Sequence, residues 1–271
     1  MSGPTAAPGA WHGGQVTPRA HCLRQDNPGP MTLDGTNTWV LLEPGSDEAV
    51  VLDPGEDEPA HQERVLRHVA DRGARVALVL LTHGHHDHVG GAPFVTERTG
   101  APVRGAGHDD PGDGEVLDVG GLRLRVVTTP GHTADSICVV LPDDDALLTG
   151  DTVLGRGTSV VAHPDGRLGD YLATLDRLAS LTGDGGLWTI LPGHGPTVTD
   201  AAEVVRYYAA HRRERLEQVR SALADGATGA DDVVERVYAD VDRSLWPAAR
   251  LSVQAQLDHL SERDAGDARR R

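Results

Sequence analysis

The chain has 271 residues and is 38% hydrophobic, enough for one sizeable core plus a smaller appended unit. A formal net charge of -16 argues against coating nucleic acid through bulk electrostatics, while leaving room for a local basic groove. The two cysteines, Cys22 and Cys138, stand far apart with no CxxC pattern, which excludes a disulfide framework and a cysteine-type zinc site and fits a reducing compartment.

The opening "MSGPTAAPGAWHGGQV" has no basic start followed by an apolar run, so it does not read as a secretory signal, and residues 1–20 are expected to be flexible. "EAVVLDPG" is a short apolar run stopped by Pro-Gly, a buried strand entering a loop. "PAHQERVLRHVADRG" carries Val65, Leu66 and Val69 at helical spacing and reaches Gly73, a C-cap residue. "RVALVLLTH" is a continuous apolar run, as expected of a strand covered on both faces. Its apolar part is far too short to span a bilayer, so a soluble cytoplasmic protein without a membrane partner is expected.

After Gly91 a short helix, "APFVTERTG", precedes the strand "APVRGA" and a Gly- and Asp-rich loop. "LRLRV" alternates, which predicts a sheet with one solvated face, and "SICVVLP" and "DALLTGD" are further strands. Leu168, Leu172, Leu175, Leu178 and Leu181 mark an amphipathic helix, and "LWTILPGHG" is a last strand. From Glu203 three helices follow, in "AAEVVRYYAAHRRERLEQVRSALADG", "GADDVVERVYADV" and "WPAARLSVQAQLDHLSER". The expected organisation is a catalytic domain over 21–202, a helical unit over 203–262 and a frayed tail over 263–271.

Strand after strand ends in a residue that can ligate a metal: His83, His132, Asp151, His194. This predicts two packed sheets with helices outside and a site at one edge, built by strand-end loops. The stretch "LLTHGHHDHVGG" supplies the largest share. Neutral imidazole and carboxylate are the ligands that zinc and its neighbours prefer. In an extended loop His83 and His85 point the same way and can clasp one ion, while Asp87 and His88 serve a second; His86 is left over. Completing two coordination spheres takes later residues, and His132 in "TTPGHT", Asp151 in "LTGD" and His194 in "LPGHG" each sit in a glycine-containing turn. Two divalent ions about 3.5–4 Å apart lower the pKa of a shared water and polarise the substrate oxygen. No G-x-S-x-G elbow or P-loop competes with this reading. The remaining histidines, among them His61, His68 and His211, read singly as ordinary surface or core residues.

These residues resemble the metallo-β-lactamase superfamily, whose HxHxDH motif is His83, His85, Asp87 and His88 here, followed by His132, Asp151 and His194. The resemblance implies an α/β fold, an αββα sandwich. It also implies one ion on His83, His85 and His132, a second on Asp87, His88 and His194, and Asp151 bridging them. Asp87 and Asp151 would be the catalytic carboxylates, and Asp53 in "VVLDPG" would orient a ligand or its loop. Zinc is the expected metal, with manganese or iron as alternatives. "NPGPMTLDGTNTWV", "GDTVLG", "HPDGRLGDYLATLDRL" and the tail "HRRERLEQV" are similar to the lactamase-β-like protein 2 branch, which implies a small helical, winged-helix-like C-terminal domain. Three positions depart from that branch, Ser136, Arg156 and His163, and because they line or approach the substrate side they put substrate identity in doubt.

The expected function is hydrolysis of an ester-like or phosphodiester bond by a hydroxide held between two metals. Fold and metals leave the substrate open among a small-molecule ester, an acyl thioester and single-stranded RNA. Arg123, Arg125, Arg156 and Arg167 could contact RNA phosphates and "HRRERLEQVR" adds a basic helix, but aromatics make up only 3% of the chain, with a single phenylalanine, Phe94, so base-stacking platforms are not advertised. Specific DNA binding is not expected, since "PAARLSVQAQLDHL" has only Arg250 as a basic residue. A non-catalytic metal-binding scaffold is the remaining alternative.

Overall fold

The computed structural model describes residues 10–183 and 188–270. One sheet holds β1 (Gly14–Gln15), β2 (Ala20–Arg24), β3 (Asn37–Leu42), β4 (Glu48–Leu52), β5 (Arg75–Leu80) and β6 (Val103–Arg104), side by side in chain order. The pairs up to β3–β4 are antiparallel, and β4–β5 and β5–β6 are parallel. Parallel neighbours need a crossover, supplied by α1 (Pro59–Ala70) and, after the one-turn α2 (His86–Val89), by α3 (Ala92–Thr99). Proline stands in the first turn of α1 and of α3, where its missing N–H costs nothing. The capping residue of α1 is Asp71, two positions before the expected Gly73, which sits in the following turn at φ 71°.

The second sheet runs in the order β11-β10-β9-β8-β7. Its strands are β7 (Val116–Val119), β8 (Leu122–Thr128), β9 (Ile137–Leu141), β10 (Ala146–Gly150) and β11 (Thr189–Pro192). Only β10–β11 is parallel, joined across α4 (Leu168–Thr182). The sheets face each other through Trp39, Leu41 and Leu52 on one side and Leu124, Val139 and Leu148 on the other, all fully or almost fully buried. Outside them, Val65 and Val69 of α1 and Val95 of α3 cover the first sheet. Tyr171, Leu175 and Leu178 of α4 cover the second. The result is the αββα layering expected from the strand pattern.

The C-terminal helices are α5 (Ala201–Ala224), α6 (Ala230–Val237) and α7 (Trp246–Arg270). Asp200 caps α5, its side chain accepting from the Glu203 amide at 2.8 Å. Val204, Val205 and Tyr208 at the start of α5 pack on the second sheet. Leu216 and Val219 further along pack with Val233, Val234 and Val253 of the C-terminal unit. One helix therefore belongs to both units, and the boundary expected at 202/203 passes through a continuous element.

Two expectations about the ends are corrected. Residues 10–20 are part of the fold. Gly14–Gln15 pairs with β2, and Trp11 packs on the inter-sheet core and donates its Nε1–H to Asn37 Oδ1 at 2.8 Å. A partly buried indole with its N–H satisfied ties the segment down. At the other end α7 continues to Arg270, through most of the stretch expected to fray. Residues 1–9 and 271 lie outside the described residues. No described helix is long and apolar enough to cross a membrane.

Candidate metal centre

The ends of β4, β5, β10 and β11 and the loop after β8 bring their polar residues to one edge of the sandwich. The structure gathers the seven residues singled out from the sequence into two groups. Ligand atoms of His83, His85, His132 and Asp151 all lie within 4.8 Å of one another, as do those of Asp87, His88 and His194. His83 Nε2 is 3.0 Å from His85 Nδ1, which is 3.1 Å from His132 Nε2. In the second group His194 Nε2 is 3.1 Å from Asp87 Oδ2 and 3.3 Å from His88 Nε2. Asp151 stands between them, with Oδ1 3.4 Å from His88 Nε2 and Oδ2 3.4 Å from His194 Nε2 and 3.8 Å from His132 Nε2. His86 is exposed and belongs to neither group. One detail differs from the expectation of a single extended loop: Asp87 and His88 ride on the turn of α2, with the His88 ring 4.2 Å from that of His83.

The outer nitrogen of each buried histidine is anchored, and the anchors determine which nitrogen faces the site. Carbonyls only accept, so His132 Nδ1–H donates to Val160 O at 2.6 Å and His194 Nδ1–H to Gly35 O at 3.3 Å. Thr82 Oγ1 donates to Asp53 Oδ2 at 2.7 Å and so accepts from His83 Nδ1–H at 2.9 Å. His88 Nδ1–H donates to Asp53 Oδ2 at 2.9 Å. Every Nε2 lone pair is thereby turned inward, the arrangement found around metal-ligating imidazoles.

The donor set fits cations. Asp151 Oδ1 is buried without a hydrogen bond, which is costly for a carboxylate unless an ion or water meets it. Burial disfavours the charged forms of His83 and His132 and lowers both pKa values, keeping these imidazoles neutral as a ligand must be. Burial works in the same direction on His194, but Asp151 and then Asp87 outweigh it and raise its pKa to about 9. Asp87 moves the opposite way: burial opposes its charge, yet His194 and His88 bring it down to about 2. The carboxylates thus demand positive charge at the very place where nitrogen and oxygen donors converge.

Gly193 leaves the centre its room. A Cβ there would come within 2.5 Å of Asp151 Oδ1 and 2.8 Å of His88 Cε1. Gly193→Ala is expected to displace both groups and lower metal affinity about 10–100-fold, read as metal per chain after dialysis; wild-type retention would refute it.

Beneath the centre, Asp53 is itself supported by α1. Thr38 Oγ1 donates to the Asp53 carbonyl at 2.8 Å and so accepts from His61 Nε2–H at 2.8 Å, while His61 Nδ1 accepts from Arg64 Nη2 at 2.9 Å. His61 is 3% exposed, and burial, with Arg64 adding to it, pushes its pKa from 6.5 to about 3. Below pH 6.5 the unfolded chain takes up a proton that the folded chain refuses, so stability falls with pH until about 3. This histidine alone should cost about 2 kcal/mol between pH 7 and pH 5. Urea titrations of His61→Gln are expected to show a pH dependence smaller by that amount, and an unchanged slope would contradict the assignment.

The three departures from the branch pattern separate here. Arg156 lines the pocket that opens on His132 and Asp151, and it pairs with Asp34. Ser136 is buried in its turn, its Oγ 2.6 Å from Thr133 Oγ1. His163 lies in a different cleft, with Asp258 Oδ2 2.7 Å from its Nδ1, so it does not line the substrate side as expected. Sequence reading missed the Gly35 and Val160 carbonyls, which have no side-chain signature. It also missed Arg212, visible only as part of a basic helix, which lines the same pocket.

Comparison with known proteins gives the family and the fold. Residues 31–112 and 101–194 match the metallo-beta-lactamase superfamily, and residues 229–265 match the beta-lactamase associated winged helix domain. An atrochrysone carboxyl ACP thioesterase of Aspergillus fumigatus is 33% identical over 260 residues, covering 86% of this chain and 79% of that protein. A beta-lactamase-like protein 2 homolog of Caenorhabditis elegans is 33% identical over 248 residues, covering 86% and 81%. A metallo-beta-lactamase family protein from Thermus thermophilus superimposes with a TM-score of 0.76 at 25% identity, covering 92% of this chain and 95% of the other. A beta-lactamase domain protein from Burkholderia ambifaria, at 24% identity, has a TM-score of 0.79 over 96% and 90%. With its sandwich, its His/Asp cluster and its C-terminal winged-helix domain, the chain belongs to the metallo-β-lactamase superfamily of hydrolases.

Proposed function

We propose that the chain is a binuclear metal-dependent acyl-thioester hydrolase, with zinc as the first choice of metal. His83, His85 and His132 would hold one ion and Asp87, His88 and His194 the other, with Asp151 standing between the two groups. When bound, the ions acidify a water and polarise the scissile carbonyl. Asp151 orients that water through its unbonded Oδ1. Asp87, at 21% side-chain exposure against 11% for Asp151, is the carboxylate nearer solvent and would assist the proton's transfer there.

The observation that carries the thioester reading is the pocket. A space of about 330 Å³ opens on His132 and Asp151 between the sandwich and the C-terminal helices, lined by Met31, Leu33, Leu154, Val241 and Leu245. Such a wall suits an acyl chain. The thioesterase among the relatives supports the same class. Of the arginines a phosphodiester would use, Arg123 pairs with Asp143, Arg156 with Asp34 and Arg167 with Glu262, which leaves Arg212 and Arg215 of the basic helix as the pocket's cations for either substrate class. Arg250, the one basic residue of the candidate DNA-reading helix, pairs with Asp231.

The test follows thiol release from an N-acetylcysteamine thioester of a medium-chain acid, with added Zn²⁺ or Mn²⁺ and with chelator, beside an end-labelled single-stranded RNA. Metal-dependent thiol release is expected. Cleavage of the RNA with no thioester turnover would overturn the reading.

A further inference from the structure

Arg212 and Arg215 stand three residues apart on α5, and both line the apolar pocket that opens on His132 and Asp151. Arg212 is 7% exposed. A guanidinium has five donors; among the described residues this one donates to the Ser159 carbonyl and also faces the Tyr171 side chain. Its carbon lies 5.4 Å from the centroid of the Tyr171 ring, and its buried Nε makes no hydrogen bond. Arg215 donates to Gln218 Oε1 and the Val237 carbonyl, both at 2.9 Å, and stacks on Tyr238 at 4.8 Å. Among the described residues neither arginine has a carboxylate partner.

That absence is pointed. Burying a cation without counter-charge is costly, and a chain with 41 acidic residues has no shortage of carboxylates to place beside it. The third guanidinium of the pocket, Arg156, does have one in Asp34. His211 senses the field of its neighbours: burial first, then Arg212 and Arg215, lower its pKa to about 4. The pocket is therefore apolar along one wall and electropositive along α5, beside the carbonyl-activating centre.

We propose that Arg212, assisted by Arg215, receives an oxyanion carried by the substrate, so that the enzyme selects anionic thioesters over neutral ones of the same shape. The inference rests on the thioester reading of this site. The oxyanion is a carboxylate on the acyl group or a phosphate on the pantetheine arm; a planar fork with several free donors suits both.

Two matched pairs decide it. The glutaryl thioester of N-acetylcysteamine is compared with its methyl ester, and a hexanoyl thioester of phosphopantetheine with that of pantetheine. In at least one pair the wild type is expected to prefer the anionic member about 10- to 100-fold in kcat/KM. Arg212→Gln should bring that ratio near one by lowering kcat/KM more for the anionic member than for the neutral one; Arg212→Lys should keep part of the preference. The responding pair identifies the source of the charge. A ratio near one for both pairs in the wild type, or an equal loss for all substrates in Arg212→Gln, would overturn the proposal, the second outcome reducing Arg212 to a prop for Ser159. Calorimetric titration with glutarate and with inorganic phosphate separates this idea from the thioester reading. If no thioester is turned over, a tenfold weaker anion affinity in Arg212→Gln still upholds the anion site, and equal affinities sink it. Should Arg212→Gln fail to fold by circular dichroism, wild-type selectivity and Arg212→Lys decide.

Discussion

Asp151→Ala is expected to lower kcat/KM by about 10³-fold or more, close to 4 kcal/mol of transition-state stabilisation, while the sandwich stays folded. Asp151 is the one carboxylate that reaches both groups of donors, at 3.4 Å from His88 and from His194 and 3.8 Å from His132. Removing it deletes negative charge between the imidazoles and leaves the water without its orienting oxygen. It also removes the main influence that raises His194, whose pKa should drop from about 9 towards ordinary histidine values. Alanine adds no bulk and the backbone bonds of β10 remain, so the loss should fall on the site. Metal per chain should decline from two towards one, measured by elemental analysis beside thiol release and a thermal melt. Full activity with two metals in Asp151→Ala would sink the proposed mechanism.

The layers and the site edge were legible because the chain repeats one device. Apolar strands such as "VALVLL" and "ALLTG" are buried along nearly their whole length, and their composition announces it. Each then ends in a polar residue that only a site explains. Asp151 and His194 converge because β10 and β11 are parallel neighbours, and His83 joins them from the end of β5 in the facing sheet. What escaped the sequence depends on contacts that composition does not encode. Residues 10–20 lack a helical or strand pattern and read as flexible, yet Trp11 anchors them through one indole. The split loyalty of α5 lies in which of its residues meet which partner, and "HRRERLEQVR" is basic whether or not its arginines find acids. Arg213 and Arg220 do, pairing with Asp176 and Glu217, whereas Arg212 and Arg215 turn to the pocket. Backbone acceptors such as Gly35 O and Val160 O leave no trace in a string of residue types.

Asp53→Asn, a change of one atom in a residue that would touch neither ion, is expected to lower metal affinity and hydrolysis about 10–100-fold. Asp53 is fully buried at φ 51° just past β4. Its Oδ1 accepts from the Thr82 amide at 2.8 Å, and Oδ2 accepts from Thr82 Oγ1 at 2.7 Å and His88 Nδ1 at 2.9 Å. All three partners donate, which suits two carboxylate oxygens and no amide. If asparagine keeps its oxygen on the Thr82 amide, its NH₂ faces His88 Nδ1. The imidazole must then accept there and carry its proton on Nε2, the atom meant for the metal. If the amide flips, NH₂ meets the Thr82 N–H instead, and the loop leading to His83 loses an anchor. Asp53→Ala removes the conflict but leaves three buried donors unmatched, and should cost more in stability, about 3–5 kcal/mol. The two variants separate roles that a single deletion confuses. Asparagine should hurt metal binding more than folding, and alanine should hurt both. Competition against a chromophoric chelator gives the affinity, and urea unfolding in the presence of chelator gives the stability. Wild-type affinity in Asp53→Asn would mean that His88 does not depend on this carboxylate for its tautomer, and that Asp53 serves the turn after β4 alone.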